Sequence, residues 1–206
     1  MSSTSLPIVV SAPSGTGKTT VCARLRGRHP NLKIKVSHTT RPPRPGEIDG
    51  VNYHFIQESD FQKSIQAGEF LEWAQVHGHY YGTCRRTVEN HLQNGDDLLM
   101  ELDVQGVETL RKIDFDAVYI LILPPSFEEL KQRLLQRGTE PPGQVEKRLK
   151  VAKTEIARYH LYDYVVTNHK IDSTVDTILA ILHAEKNRTR RFHSPSEDIQ
   201  SILKPR

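Results

Sequence analysis

The chain has 206 residues, 36% hydrophobic and 26% charged, enough for one α/β domain with a real core and too apolar for disorder. Its net charge of +3 sits entirely in residues 187–206, where Arg188, Arg190, Arg191, Lys204 and Arg206 meet only Glu197 and Asp198, so the body is neutral and no nucleic-acid partner is expected. No apolar run approaches the roughly 20 residues of a membrane span, Met1 to Pro7 lacks the regions of a secretory leader, and two cysteines, Cys22 and Cys84, fit a reducing, cytoplasmic setting.

Leu6 to Ala12, with Ile8, Val9 and Val10 inside it, predicts a buried parallel strand, and Lys18 to Arg28 predicts the following helix. From Lys35 to about Arg86 turn residues and aromatics dominate. Tyr53 to Ile56 and Phe70 to Val76 look like short strands, and Ser59 with Gln62 three residues on predicts a capped helix between them. This reads as a small α+β insertion. Leu98 to Leu102, behind the turn residues Asn94, Gly95 and Asp96, predicts a second strand. A helix follows at Gln105 to Lys112, then a buried strand at Ala117 to Leu123, ended by Pro124 and Pro125. Ser126 and Glu129 form a capping-box signal for a helix to about Gln136. Arg137 to Gln144, with Gly138, Pro141, Pro142 and Gly143, resembles a mobile loop. Val145 to about Tyr159 predicts a helix, Tyr164 to Thr167 a strand, and Ser173 to about Asn187 a last helix. Alternating strands and helices imply a parallel sheet with helices on both faces. The polar, basic tail beyond Asn187, broken by Pro195, is expected to be flexible.

Ala12, Pro13, Ser14, Gly15, Thr16, Gly17, Lys18 and Thr19 lie between the first strand and its helix. They fit the phosphate-loop pattern G-x-x-x-x-G-K-[ST] except at the first position, where Ala12 stands for Gly. Small residues let backbone N–H groups curl around phosphate oxygens, and the helix N-terminus adds positive potential. Lys18 would neutralise the β- and γ-phosphates, Thr19 would offer a hydroxyl to Mg²⁺, and Thr20 adjoins them. The Cβ of Ala12 is tolerable only at an ordinary negative φ. This loop specifies ATP or a similar triphosphate, and leaves the reaction open.

The acceptor side narrows it. Ser37-His38-Thr39-Thr40-Arg41-Pro42-Pro43-Arg44-Pro45-Gly46-Glu47 is followed by Asp49-Gly50-Val51-Asn52-Tyr53, then Gly68 to Ala74, then Gly78-His79-Tyr80-Tyr81-Gly82-Thr83. These segments, in this order around the phosphate loop, closely resemble the GMP-binding part of guanylate kinases over roughly residues 6 to 186. The resemblance implies a P-loop nucleoside-monophosphate kinase that moves a phosphoryl group from ATP to GMP with Mg²⁺. It assigns Arg41, Arg44, Tyr53 and Tyr81 to the GMP phosphate, where charge-assisted donors are needed. Guanine offers N1–H and N2–H₂ as donors and O6 as acceptor, so Glu72 is its natural reader, with Ser37 and Thr83 able to donate to O6. Glu101 matches a second acidic position. Adenine would leave such carboxylates unpaired.

Leu98 to Gly106 resembles the family's second phosphate motif, with Asp103 as candidate holder of Mg²⁺ through water; Asp is also a favoured N-cap for the next helix. Arg133, Arg137 and Arg148 match arginines that the family places around the transferred phosphoryl group. Asn168 lies by resemblance near the adenine, and a turn before the last helix explains it equally well. The implied division is a core of residues 1–34, 87–125 and 157–186, a GMP-binding subdomain at 35–86, a helical lid at 126–156 and the tail at 187–206. A monomer and a homo-oligomer both remain open. Two rivals stand beside this reading: a non-catalytic guanylate-kinase-like phosphopeptide-binding module, disfavoured by the intact Gly17, Lys18 and Thr19, and a related kinase acting on a phosphorylated ribose, for which Glu72, Glu101 and Ser37 would have no base to read.

Overall fold

Five consecutive buried residues, Pro7–Ser11, form strand β1 of the computed structural model, which describes residues 5–76, 78–136, 143–192, 194 and 196–203. Helix α1 (Lys18–Arg28) follows, then β2 (Leu32–Ile34), β3 (Ser37–Thr39), β4 (Tyr53–Phe55), α2 (Glu58–Gln66), β5 (Phe70–Val76), β6 (His79–Cys84) and α3 (Arg85–Gln93). The second half runs β7 (Asp97–Glu101), α4 (Val104–Lys112), β8 (Val118–Leu123), α5 (Phe127–Gln136), α6 (Gln144–Ile156), β9 (Tyr164–Thr167), α7 (Ile171–Lys186) and α8 (Glu197–Ile202).

Two sheets result. The first has the order β2-β7-β1-β8-β9, and every pairing in it is parallel. Alternate residues of β1 feed opposite cores. Ile8 and Val10 pack with Val21 and Leu25 of α1 and Val175, Ile178 and Leu182 of α7. Val9 joins Leu98, Met100, Val107, Leu110, Tyr119 and Leu121 on the other face. Burying each such side chain stabilises by about 1.5–3 kcal/mol, so the strand that ends in the phosphate loop is also among the most firmly held. This is the expected sheet covered on both faces.

The second sheet, β4-β3-β6-β5, lies within the inserted segment. Strand β3 runs parallel to β4 and antiparallel to β6, and β5 pairs antiparallel with β6, with a register shift between Phe70 and Glu72. The shift makes Glu72 the direct cross-strand partner of Thr83. Helices α5 and α6 share a small core of Leu130, Leu134 and Ala152.

Several local expectations need correction. Helix α2 starts at Glu58 after Gln57, without a side-chain cap, so Ser59 lies inside it. The strands β2, β3 and β6 and the helices α3 and α8 lie outside the expected elements: the three-residue strands and the short polar helices carry little periodicity, and β6 sits in a stretch read only for its motif residues. Ser126 does cap α5, its Oγ accepting from the Glu129 N–H at 3.1 Å. Packing continues past Asn187: Arg191 is buried and bonds Glu185 and Asp116, while Arg188 and the Tyr164 hydroxyl also reach Glu185. The segment expected to be flexible thus begins with packed residues and includes helix α8 (Glu197–Ile202). Arg137 and the Pro141-Pro142 pair lie outside the described residues.

Candidate active site

The phosphate loop is shaped by two glycines and braced from three sides. Gly15 and Gly17 have φ of 92° and 98°, in the left-handed region that favours glycine. Ala12 shows no positive φ, as its Cβ requires. A Cβ on Gly15 would sit 2.9 Å from Cδ2 of Leu134 on α5, so the loop and this helix meet in close apolar approach. The Thr16 carbonyl accepts from Arg133 at 3.2 Å and from the Asn168 amide at 2.8 Å. Arg148 donates to Ser14 Oγ at 2.7 Å. Arg133 also pairs with Glu129 one turn earlier. Arg133 and Arg148 are thus gathered over the phosphate loop.

Asn168 is 2% exposed, and its carbonyl oxygen accepts from Thr174 at 2.9 Å. Both polar ends of its side chain are used inside the protein. Asn168 is therefore a brace of the phosphate loop, with one amide proton and one carbonyl lone pair beyond these two bonds.

Lys18 opens α1 and lies 3.4 Å from Glu101, at the end of β7. Thr19 and Thr20 are exposed in the same first turn. Asp103 caps α4, accepting the Gly106 N–H at 2.9 Å through one oxygen. The capping alternative is realised, and its other oxygen has no protein partner among the described residues. The exposed Thr19 hydroxyl and this carboxylate oxygen are hard donors that fit Mg²⁺. Among the described residues no group of three or more His, Cys, Asp or Glu could cage a metal.

Beside Lys18 opens a pocket of about 190 Å³ lined by Lys35, Ser37, Tyr53, Glu72, Tyr81, Glu101 and Asp103, among others. Glu72 is 6% exposed, and its carboxylate accepts from Thr83 Oγ1. A Cβ on Gly106 would stand 3.0 Å from Glu72 Oε2, so the carboxylate is laid against the first turn of α4. At the outer edge Arg41 makes a two-pronged pair with Glu47 at 2.8 and 2.9 Å and lies 5.4 Å from the Tyr53 ring centroid. Tyr53 and Tyr81 meet edge to face. Arg44 is exposed, and its backbone N–H donates to Glu47 at 2.7 Å. Bonds from Arg41 and Arg44 hold the Glu47 carboxyl below the usual range.

One end of the pocket can thus bind a phosphate dianion, its wall can read a planar base, and its floor reaches the lysine of a phosphate loop. The family model described as guanylate kinase matches residues 4–185. The guanylate kinase of Clostridium perfringens (strain SM101 / Type A) is 47% identical over 185 residues, 90% of this chain and 86% of that protein. The chain belongs to the guanylate kinase family. The guanylate kinase of Thermotoga maritima is 42% identical over 196 residues, covering 95% of each chain. A crystal structure of guanylate kinase from Anaplasma phagocytophilum superposes with a TM-score of 0.74 at 35% identity, over 92% of this chain and 90% of that one.

For this guanylate kinase, sequence reasoning overlooked four residues around the site. Glu47 was quoted in a motif without a role, yet it orients Arg41. Gly106 leaves room for Glu72. Glu155 on α6 faces Asp103 and Lys18; burial, then the charge of Asp103, raises its carboxyl to about 7. Lys35, buried beside Glu72, carried no motif signal at all. Only the spacing of Glu47 from Arg41 could have been read from sequence.

Proposed function

We propose that the chain transfers the γ-phosphoryl group of ATP to GMP, giving ADP and GDP, and that it does so in the cytoplasm. The observation that carries this reading is the position of Glu101. It pairs with the phosphate-loop Lys18 and at the same time lines the pocket that holds Glu72. Donor and acceptor halves therefore share one wall, as a direct transfer between two bound nucleotides demands.

Residues Ala12 to Thr20 wrap the triphosphate, with Lys18 on its terminal oxygens. Thr19, and Asp103 through water, would hold Mg²⁺, which when bound offsets the charge of the β- and γ-phosphates. Arg41, Arg44, Tyr53 and Tyr81 hold the GMP phosphate, and Glu72 accepts from N1–H and N2–H₂ of guanine, with Ser37 and Glu101 on the same pocket and the buried Thr83 donating to Glu72. Arg133 and Arg148, with Arg137 beyond the described residues, bring positive charge to the phosphoryl group in flight. Their contacts with Thr16 and Ser14 support this, since they place cationic groups on the loop itself. The GMP phosphate is already largely ionised near neutrality, so no strong general base is required. Closing the lid excludes water that would otherwise hydrolyse ATP.

An ADP-release assay with GMP, dGMP, AMP, UMP and ribose phosphates tests the proposal. GMP should be the preferred acceptor over AMP and UMP. Turnover with a ribose phosphate but none with GMP would sink it.

A further inference from the structure

Lys35 sits between the two sheets. Its backbone N–H donates to the Leu99 carbonyl of β7 at 2.9 Å, which ties it to the parallel sheet. Its side chain crosses to the other sheet, where Nζ donates to Thr83 Oγ1 at 2.6 Å. The side chain is 2% exposed, and Glu72 Oε1 lies 3.8 Å from Nζ, beyond hydrogen-bond length.

The direction of these bonds is forced. An ammonium only donates, so Thr83 Oγ1 must accept from Lys35. Thr83 has one proton, and it goes to Glu72. In this arrangement Thr83 has no proton left for guanine O6. Lys35 has three donors, and among the described residues only Thr83 takes one at hydrogen-bond distance. Buried donors are nearly always satisfied. The others belong to a pocket that Lys35 lines together with Glu72, Ser37 and Glu101.

We propose that Lys35 is a specificity-determining residue that donates to O6 of the acceptor purine, beside the carboxylate of Glu72. This rests on the GMP reading above. O6 is adjacent to N1 on the purine edge, so a donor next to the N1-reading carboxylate falls opposite it. Adenine would turn its 6-amino donors against the ammonium, a repulsive match. Burial pulls the Lys35 pKa down and nearby Lys18 adds to this, whereas Glu72 foremost, then Glu101 and Asp103, favour the charged form. Those three carboxylates keep a cation in a dry wall tolerable.

The test compares GMP with its 6-thio analogue, which replaces one strong acceptor by a weak one and keeps N1–H and N2–H₂. Steady-state kinetics are measured for the wild type, Lys35→Met and Lys35→Gln. Lys35→Met should lose about 10- to 100-fold in kcat/KM for GMP, mostly through KM, as expected for a lost charge-assisted bond. Its loss with the thio analogue should be several-fold smaller, so the preference for GMP collapses. Lys35→Gln, whose amide both donates and accepts, should also narrow the preference for GMP over AMP, and it serves if the methionine variant does not fold. A Lys35 that merely neutralises Glu72 would lower both analogues equally. An unchanged GMP-to-thio ratio in a folded variant therefore overturns the proposal, while GMP turnover by the wild type keeps the functional reading intact. Absence of GMP turnover by the wild type would overturn both.

Discussion

The two sheets solve the same problem, holding a phosphorylated nucleotide, by different physical means. The parallel sheet presents backbone. Its phosphate loop is shaped by two left-handed glycines and is pinned through the Thr16 carbonyl by Asn168 and Arg133. The inserted sheet presents side chains, in which Lys35, Thr83 and Glu72 form one chain of polar contacts and Arg41 with Glu47 another. Backbone recognition suits a phosphate chain that every nucleoside triphosphate shares. A base must be told from its near-isosteres, and that takes donors and acceptors at defined atoms. General binding is thus built into the geometry of strand, loop and helix, while specificity is built into cross-strand pairs.

The sharpest way to break this division is Lys18→Ala. It should lower kcat by on the order of 10³-fold or more, whichever acceptor is offered, with a melting temperature close to wild type, read by coupled assay and calorimetry. Next comes Glu72→Gln, which should cost about 100-fold in kcat/KM for GMP and leave the KM for ATP unchanged; an equal effect on ATP would erase the division between the halves. A pair of matched alanines tests each half more gently. Gly106→Ala puts a Cβ 3.0 Å from Glu72 Oε2 and should raise the KM for GMP by roughly 10-fold with ATP spared. Gly15→Ala forces a φ of 92° and meets Leu134, so it should act on the ATP side and destabilise by about 1–3 kcal/mol in denaturant titration. The smallest effect concerns the thiols. Burial drives Cys22 up to about 12, whereas Cys84 is only half-buried. In the native protein at pH 8 a chromogenic disulfide reagent should label Cys84 first and Cys22 on the order of 10³-fold more slowly.

What could be read from the sequence follows the same line. The phosphate loop was legible because its chemistry is local: contiguous small residues, a lysine and a hydroxyl between a strand and a helix. Arg41, Tyr53, Tyr81 and Glu72 were legible through resemblance to a known order of motifs. Lys35 was not, since its meaning depends on a contact with Thr83, 48 positions away, and on a burial that a lone lysine never advertises. Asn168 was placed near the adenine by resemblance alone, and a turn before the last helix explained it equally well. Its partners within the protein, Thr16 and Thr174, belong to other elements. Asp103 shows a third case, where the side chain caps a helix and still faces the pocket, so the two readings were never exclusive.

The strand order has a consequence for how the molecule is made. β1 leaves the ribosome before the other described strands, and it ends up in the middle of the sheet, between β7 and β8. Leu6 and Ser11 bond Asp97 and Leu102, each 91 positions later. At synthesis rates of about 5–20 residues per second, β1 waits roughly 5 to 18 s with both edges open. Ile8, Val9 and Val10 are fully apolar and unprotected for that interval. The strand that leads into the phosphate loop is thus a stretch of nascent chain in need of shielding, and slowing translation before β7 should lower soluble yield more than slowing it after β8.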